Sequence, residues 1–338
     1  MMGYVLTTKQ ANEIFAELST QYRLFAPKTF GNEGRYSDTG CVRYGEVTCV
    51  EDITFDKKSE YSFKEAILPV MQTLFYFTER EVTEPKVDDK KTMIFLRSCD
   101  IHAVKRLDEM YYKNGPKDYY YSLLRDNVKF VLIGCEQSFE NCFCVSMGTN
   151  TTDHYDFSFC KAHDTYEINL KNTEFISLFE KVNASVMEVK VPFVTENDVK
   201  VQIPDGLKAK VTSSTIWDEY DSRCIACGRC NFVCPTCTCF TMQDMYYTDN
   251  GKVGERRRVW ASCMVDGFTD VAGGGSYRKN YGQRMRFKLL HKVYDFKQRN
   301  GFHMCIGCGR CDDVCPEYIS FSNCINKLPE ALKEVDQL

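Results

Sequence analysis

No stretch of this sequence is apolar for long enough to cross a membrane. The longest candidate, residues 66–77, is interrupted by Gln72 and Thr73 and falls short of the about 20 residues that a spanning helix needs. The opening Met1-Met2-Gly3-Tyr4-Val5-Leu6-Thr7-Thr8-Lys9-Gln10 lacks the basic start and apolar core of a secretory leader. Basic excess is missing too. Lys and Arg number 43 against 47 Asp and Glu, a net charge of -4, which argues against nucleic acid as the main partner. With only five His, general acid–base chemistry has few candidates, and no Ser-His-Asp or Cys-His signature is legible. There is no dinucleotide fingerprint. Gly273-Gly274-Gly275 lacks the Lys-Ser/Thr of a phosphate loop and reads as a flexible bend. Residues 1 to about 200 show no internal repeat.

Cysteine, in contrast, is abundant, at 19 of 338 residues. Without a leader, the expected compartment is the reducing cytoplasm, where clustered cysteines bind metal or do redox chemistry rather than form disulfides. Eight of them fall in two matching runs. The first is Cys224-Ile-Ala-Cys227-Gly-Arg-Cys230-Asn-Phe-Val-Cys234-Pro235. The second is Cys305-Ile-Gly-Cys308-Gly-Arg-Cys311-Asp-Asp-Val-Cys315-Pro316. Both have bacterial ferredoxin spacing. Three thiolates two residues apart wrap one face of a cubane, and Gly228 and Gly309 let the backbone turn closely. The fourth Cys points away, and in two-cluster ferredoxins it ligates the other cluster. The expectation is two [4Fe–4S] clusters with crossed ligation. One is held by Cys224, Cys227, Cys230 and Cys315, the other by Cys305, Cys308, Cys311 and Cys234. Structural zinc is the bland alternative, but zinc sites use separated Cys pairs rather than a four-cysteine run ending in Pro.

At roughly 150 residues per domain, the length suggests two domains, drawn here at 1–205 and 206–338. The expected fold is α+β: an N-terminal α/β-type domain, then a C-terminal α-helical dicluster ferredoxin domain. In the N-terminal part, residues 8–24 read as helix, 44–55 as strand and 63–77 as helix. Residues 92–98 and 128–134 read as buried strands, the first followed by a helix over 103–112. Residues 192–204 read as a connection. Cys99, Cys135, Cys142 and Cys144 lie at or beyond the ends of the two strands, where sites gather in open α/β sheets. They are candidates for a third iron–sulfur or other metal centre, with Asp100 or His102 as alternative ligands; free Cys is also a common core residue. Between the two runs, residues 284–297 read as a helix stopped by Gly301. Arg256, Arg257 and Arg258, with Arg278, Lys279, Arg284, Arg286 and Lys288 nearby, read as a solvated basic face or as a docking surface for an acidic redox partner. Cys237, Cys239 and Cys263 are left without a role.

The chain resembles the iron–sulfur electron-transfer component of the anaerobic, NADH-linked, siroheme-dependent sulfite reductases, and also the β subunits of cytoplasmic sulfhydrogenases. The likeness is carried by Arg97-Ser-Cys99-Asp100-Ile-His102-Ala103, by Cys142-Phe-Cys144-Val-Ser-Met-Gly148, by both cysteine runs with Cys234-Pro-Thr-Cys-Thr-Cys239, and by Trp260-Ala-Ser-Cys263. The resemblance implies an electron-transfer role rather than a stand-alone enzyme. One implied partner is a flavin-containing, NADH-oxidising subunit. The other is a siroheme-containing catalytic subunit that reduces sulfite to sulfide. The alternative is the corresponding subunit of a nickel–iron hydrogenase or sulfhydrogenase, with the same wiring and a different terminal subunit.

Overall fold

The run Met93-Ile94-Phe95-Leu96 is buried throughout, as a central parallel strand requires. It lies mid-sheet in the structure, a computed structural model that describes residues 3–34, 36–86 and 90–337. The chain divides into two units. The first comprises Met1–Leu68, Val87–Phe139 and Gly148–Asn197; the second comprises Pro69–Lys86, Glu140–Met147 and Asp198–Leu338. Each is therefore assembled from separated stretches of sequence. The mixture of helices and sheets makes the fold α+β.

The first unit holds a five-stranded sheet in the order Cys41–Glu46, Tyr22–Phe30, Lys91–Leu96, Val128–Leu132, Phe157–Ser158. The first pair is antiparallel and the other three pairings are parallel. A four-stranded antiparallel sheet joins Ser185–Met187, Gly3–Thr7, Thr165–Asn169 and Cys160–Ala162. Helix Thr8–Ser19 buries Ala11, Ile14, Phe15 and Leu18, one stripe at helical spacing. Its start is set by Thr7 and Gln10, whose side chains each satisfy the other's backbone N–H in a capping box. Phe15 meets Phe95 and Phe159 at ring-centroid distances of 5.5 and 5.7 Å. Each such fully buried ring contributes about 1.5–3 kcal/mol.

Several local expectations are corrected here. The helix stops at Ser19, and residues 22–30 form a strand, because Tyr22, Leu24 and Ala26 alternate into the core. The strand expected over 44–55 ends at Glu46, where the Asp52 carboxylate accepts the Thr48 N–H at 3.0 Å and turns the chain. No long helix occupies 63–77. A single turn, Phe63–Ala66, precedes Pro69, and Met71–Phe77 is a strand of the second unit. The helix expected from 103 begins at Ser98, so Cys99, Asp100 and His102 stand in its opening turns.

In the second unit, Phe240–Tyr246 and Gly254–Trp260 form a hairpin, and Met71–Phe77 pairs on the far side of Gly254–Trp260. A sheet therefore lies between the two runs, beside the helices expected there. Its arginines are spent inside it. Arg256 grips Asp244 with two bonds of 2.6 and 2.7 Å, Arg257 pairs with Glu255, and Arg258 donates to Gln72 at 2.8 Å. Gly273 and Gly274, both at positive φ, lie in the three-residue loop that joins Asp270–Val271 to Gly275–Ser276. The expected helix is present as Tyr281–Leu290, a wider π turn at His291–Asp295, then Phe296–Asn300. Gly301 ends it at φ +80, a left-handed cap that glycine adopts without strain. Trp217, Tyr220, Leu289, Val293, Ile325 and Leu328 form the core around it. Among the described residues, no helix is long and apolar enough to cross a membrane.

Candidate iron–sulfur site

Both cysteine runs have the same backbone form. After the first Cys, Ala226 and Gly307 occupy matching positions with φ +54 and +69; Gly228 and Gly309 then follow at +73 and +69. Each of these last two glycines opens a short helix, Arg229–Phe232 or Arg310–Asp313. The loops are curled by the bonds Asn231 N–H to Gly228 O, 3.0 Å, and Asp312 N–H to Gly309 O, 2.9 Å. Amide groups aim at sulfur: Ala226 N–H donates to Cys224 Sγ at 3.4 Å, and Ile319 N–H to Cys315 Sγ at 3.3 Å.

The loops meet across the sequence. A pocket is lined by Cys224, Cys227 and Cys230 of the first run together with Cys315 of the second. Met264, Met285, Ile319 and Phe321 give it apolar walls, and Cys311 and Lys288 line it as well. The Cys305 thiol is coupled electrostatically to those of Cys308 and Cys234. Burial pushes the Cys305 thiol up to about 12 and raises Cys224 and Cys311 as well. Buried thiols of this kind stay protonated until a cation replaces the proton, so the donor sets suit iron, which binds thiolate. The two sites differ in access: Cys227 is exposed and Cys308 is buried.

Residues 140–147 close over the second run. Phe143 N–H donates to Gly307 O at 2.8 Å, Cys142 Sγ lies 3.6 Å from Cys308 O, and Asn141 Nδ2 donates to Asp313 at 2.9 Å. Of the four cysteines considered for a third centre, Cys142 and Cys144 thus belong to the second unit, while Cys99 and Cys135 belong to the first. There, Arg97 donates to Gly134 O and Cys135 Sγ at 3.1 and 3.3 Å, beside a cavity of about 270 Å3. Asp100 is fully buried, 3.5 Å from the Tyr44 hydroxyl. His102 has both ring nitrogens engaged, Nε2 on Thr151 O at 2.8 Å and Nδ1 beside Arg106 at 3.3 Å, and burial lowers its pKa.

Cys237, Cys239 and Cys263 belong to the second unit with both runs. Cys237 hydrogen-bonds with Cys234 and Cys263 with Cys239; these contacts, with burial, hold Cys237 and Cys263 protonated. Asn231 Nδ2 donates to Cys263 Sγ at 3.1 Å and to Ser262 at 3.0 Å. Sequence reasoning missed two functional candidates. Lys288, grouped above with a basic surface, is only 4% exposed, and Lys292 is 3% exposed. Burial alone would lower both ammonium groups, but thiolates outweigh it. Cys230, Cys311 and Cys237 raise Lys288, and Cys234, Cys237 and Cys305 raise Lys292. The signal was available: both lysines share the helical stripe of Met285 and Leu289.

A family model described as a 4Fe–4S dicluster domain matches residues 223–319, a span that holds both runs. The chain is 30% identical to sulfhydrogenase 2 subunit beta of Pyrococcus furiosus over 348 residues, covering 98% of this chain and 100% of that protein. No solved structure gives a significant match.

Proposed function

Because this chain belongs to the sulfhydrogenase β-subunit family and carries a 4Fe–4S dicluster domain, we propose that it is the electron-transfer subunit of a sulfhydrogenase-type nickel–iron hydrogenase complex. It would hold two [4Fe–4S] clusters with crossed ligation. The full-length relative favours this reading over the sulfite reductase one, which shares the same wiring. The observation that supports it is the pocket that gathers Cys224, Cys227 and Cys230 with Cys311 and Cys315 of the second run, about eighty positions on, so that a Cys315 ligand to the first centre is within reach.

A bound cubane would accept and release one electron at a time. The chain's own residues supply the rest. Eight thiolates hold the clusters, and Cys234 and Cys315 tie the two loops into one body. The amides of Ala226 and Ile319 donate to sulfur, which stabilises thiolate charge. The exposed side at Cys227 offers the shorter route to a partner, while residues 140–147 shield the second site from water. In this reading the chain itself performs no bond chemistry. A flavin-bearing, NADH-oxidising subunit supplies electrons, which a catalytic subunit consumes.

Anaerobic isolation of the native complex tests this. We expect a brown protein with about eight irons per chain, the count for two [4Fe–4S] centres, and nickel co-eluting with it. Siroheme co-elution would restore the sulfite reductase reading. About twelve irons would add a third [4Fe–4S] centre to the chain. Colourless, zinc-bearing protein would refute the electron-transfer role.

A further inference from the structure

Lysine is almost never fully buried unless its charge is paired. Lys288 and Lys292 are both buried, one helical turn apart. Among the described residues, neither forms an ion pair with a carboxylate. What faces them is sulfur. Lys288 reaches the cavity formed by Cys224, Cys227, Cys230 and Cys315, with its Nζ 5.1 Å from the centroid of the Phe321 ring. Lys292 Nζ donates to Thr236 Oγ1 at 2.7 Å, and that hydroxyl lies 3.4 Å from Cys234 Sγ. The backbone fixes the second lysine in place. The π turn begins at His291, and the Lys292 carbonyl accepts the N–H groups of Met304 and Cys305 at 2.9 and 3.1 Å. The start of the second run is thereby tied to the residue that carries the charge. π turns of this kind gather at functional sites.

We propose that Lys288 and Lys292 are positioning cations that set the reduction potentials of the two centres. Lys288 acts mainly on the Cys224–Cys227–Cys230–Cys315 site and Lys292 mainly on the Cys305–Cys308–Cys311–Cys234 site. This rests on the dicluster reading above. Reduction adds one electron to a centre; no bond forms or breaks, and the lysine proton stays on nitrogen. The added negative charge sits beside a fixed ammonium in a poorly screened interior, so the reduced form gains more than the oxidised form. A surface lysine, screened by water and salt, would not have this effect.

The test uses the full chain, loaded anaerobically with iron and sulfide and titrated with dithionite while spin resonance follows each centre. In Lys288→Met, the oxidised-to-reduced ratio of the first centre at a fixed potential should rise at least tenfold, which is a midpoint lowered by 59 mV for a one-electron couple. Lys292→Met should do the same to the second centre, with the smaller effect on the first. Lys288→Arg, which keeps the charge, should stay within threefold of the parent. Loaded Met variants whose ratios change less than threefold would overturn the proposal. Should the Met variants fail to load, Lys288→Gln and Lys292→Gln give the same readout. If these also stay empty while Lys288→Arg loads, the lysines serve assembly and the proposal is again overturned. If the parent chain itself takes up no iron, the dicluster reading fails first.

Discussion

Adding one methyl group at Gly309 tests how residues 140–147 clamp the second cysteine loop. An ideal Cβ at this position would sit 2.2 Å from the Asn141 carbonyl oxygen and 2.5 Å from its carbon, and the backbone is at φ +69. Two costs add. A side chain in the left-handed region costs about 1–2 kcal/mol. Forcing atoms into a filled space costs about 1–3 kcal/mol more. Asn141 cannot easily retreat. It is itself at φ +60, and its side chain donates to Asp313 at 2.9 Å. The expected loss for Gly309→Ala is therefore about 2–5 kcal/mol, a large share of the stability of an ordinary domain. Gly301→Ala is the control: φ is +80, but nothing lies within 4 Å of the added Cβ, so only the conformational cost remains. Ala226 at φ +54 shows that alanine tolerates this backbone where there is room. The assay is urea unfolding of the anaerobically loaded protein, followed by ellipticity and by visible absorbance, with iron counted beforehand. Gly309→Ala should unfold at clearly lower urea than Gly301→Ala and lose about half its iron, as expected for one of two [4Fe–4S] centres. If the two variants differ by less than about 0.5 kcal/mol, the clamp is not what holds the loop, because the added contact alone should cost more than that.

Three further outcomes follow from other contacts. Cys315→Ser should disturb the spectrum of the centre held by Cys224, Cys227 and Cys230; a change confined to the Cys305–Cys311 centre would refute crossed ligation. Burial lowers His291 to about 4, with Lys292 adding to the effect. The unfolded chain then binds a proton below about pH 6.5 that the folded chain refuses until about pH 4, so stability falls as pH drops through that window. Wild type should lose about 2 kcal/mol more than His291→Gln between pH 7 and pH 5 in urea titrations, and parallel losses would reject this account. In the first unit, the fully buried Tyr121 donates to Asp108 at 2.8 Å. Tyr121→Phe should cost about 1–2 kcal/mol in the same assay, and a neutral substitution would show that the bond adds nothing.

Some of this protein was legible in its sequence because the relevant physics is local. The spacing of Cys224 to Cys234 and of Cys305 to Cys315 is a covalent constraint, and it predicts both loops; crossed ligation is the expectation that Cys315→Ser tests. The helix stop at Gly301 and the buried strands Lys91–Leu96 and Val128–Leu132 depend on single residues or short apolar runs, and the structure matches them. What tertiary structure decided involves partners far away in the chain. Residues 71–77 have no fixed preference by themselves; they are a strand because Gly254–Trp260 offers them an edge. Cys142 and Cys144 belong with the second run because the Phe143 amide finds Gly307, a contact no spacing rule anticipates. Lys288 and Lys292 look like any surface lysines until the helix that carries them is packed between two thiol-lined sites. A charge can stay buried there because the sulfurs that compensate it arrive from both runs at once.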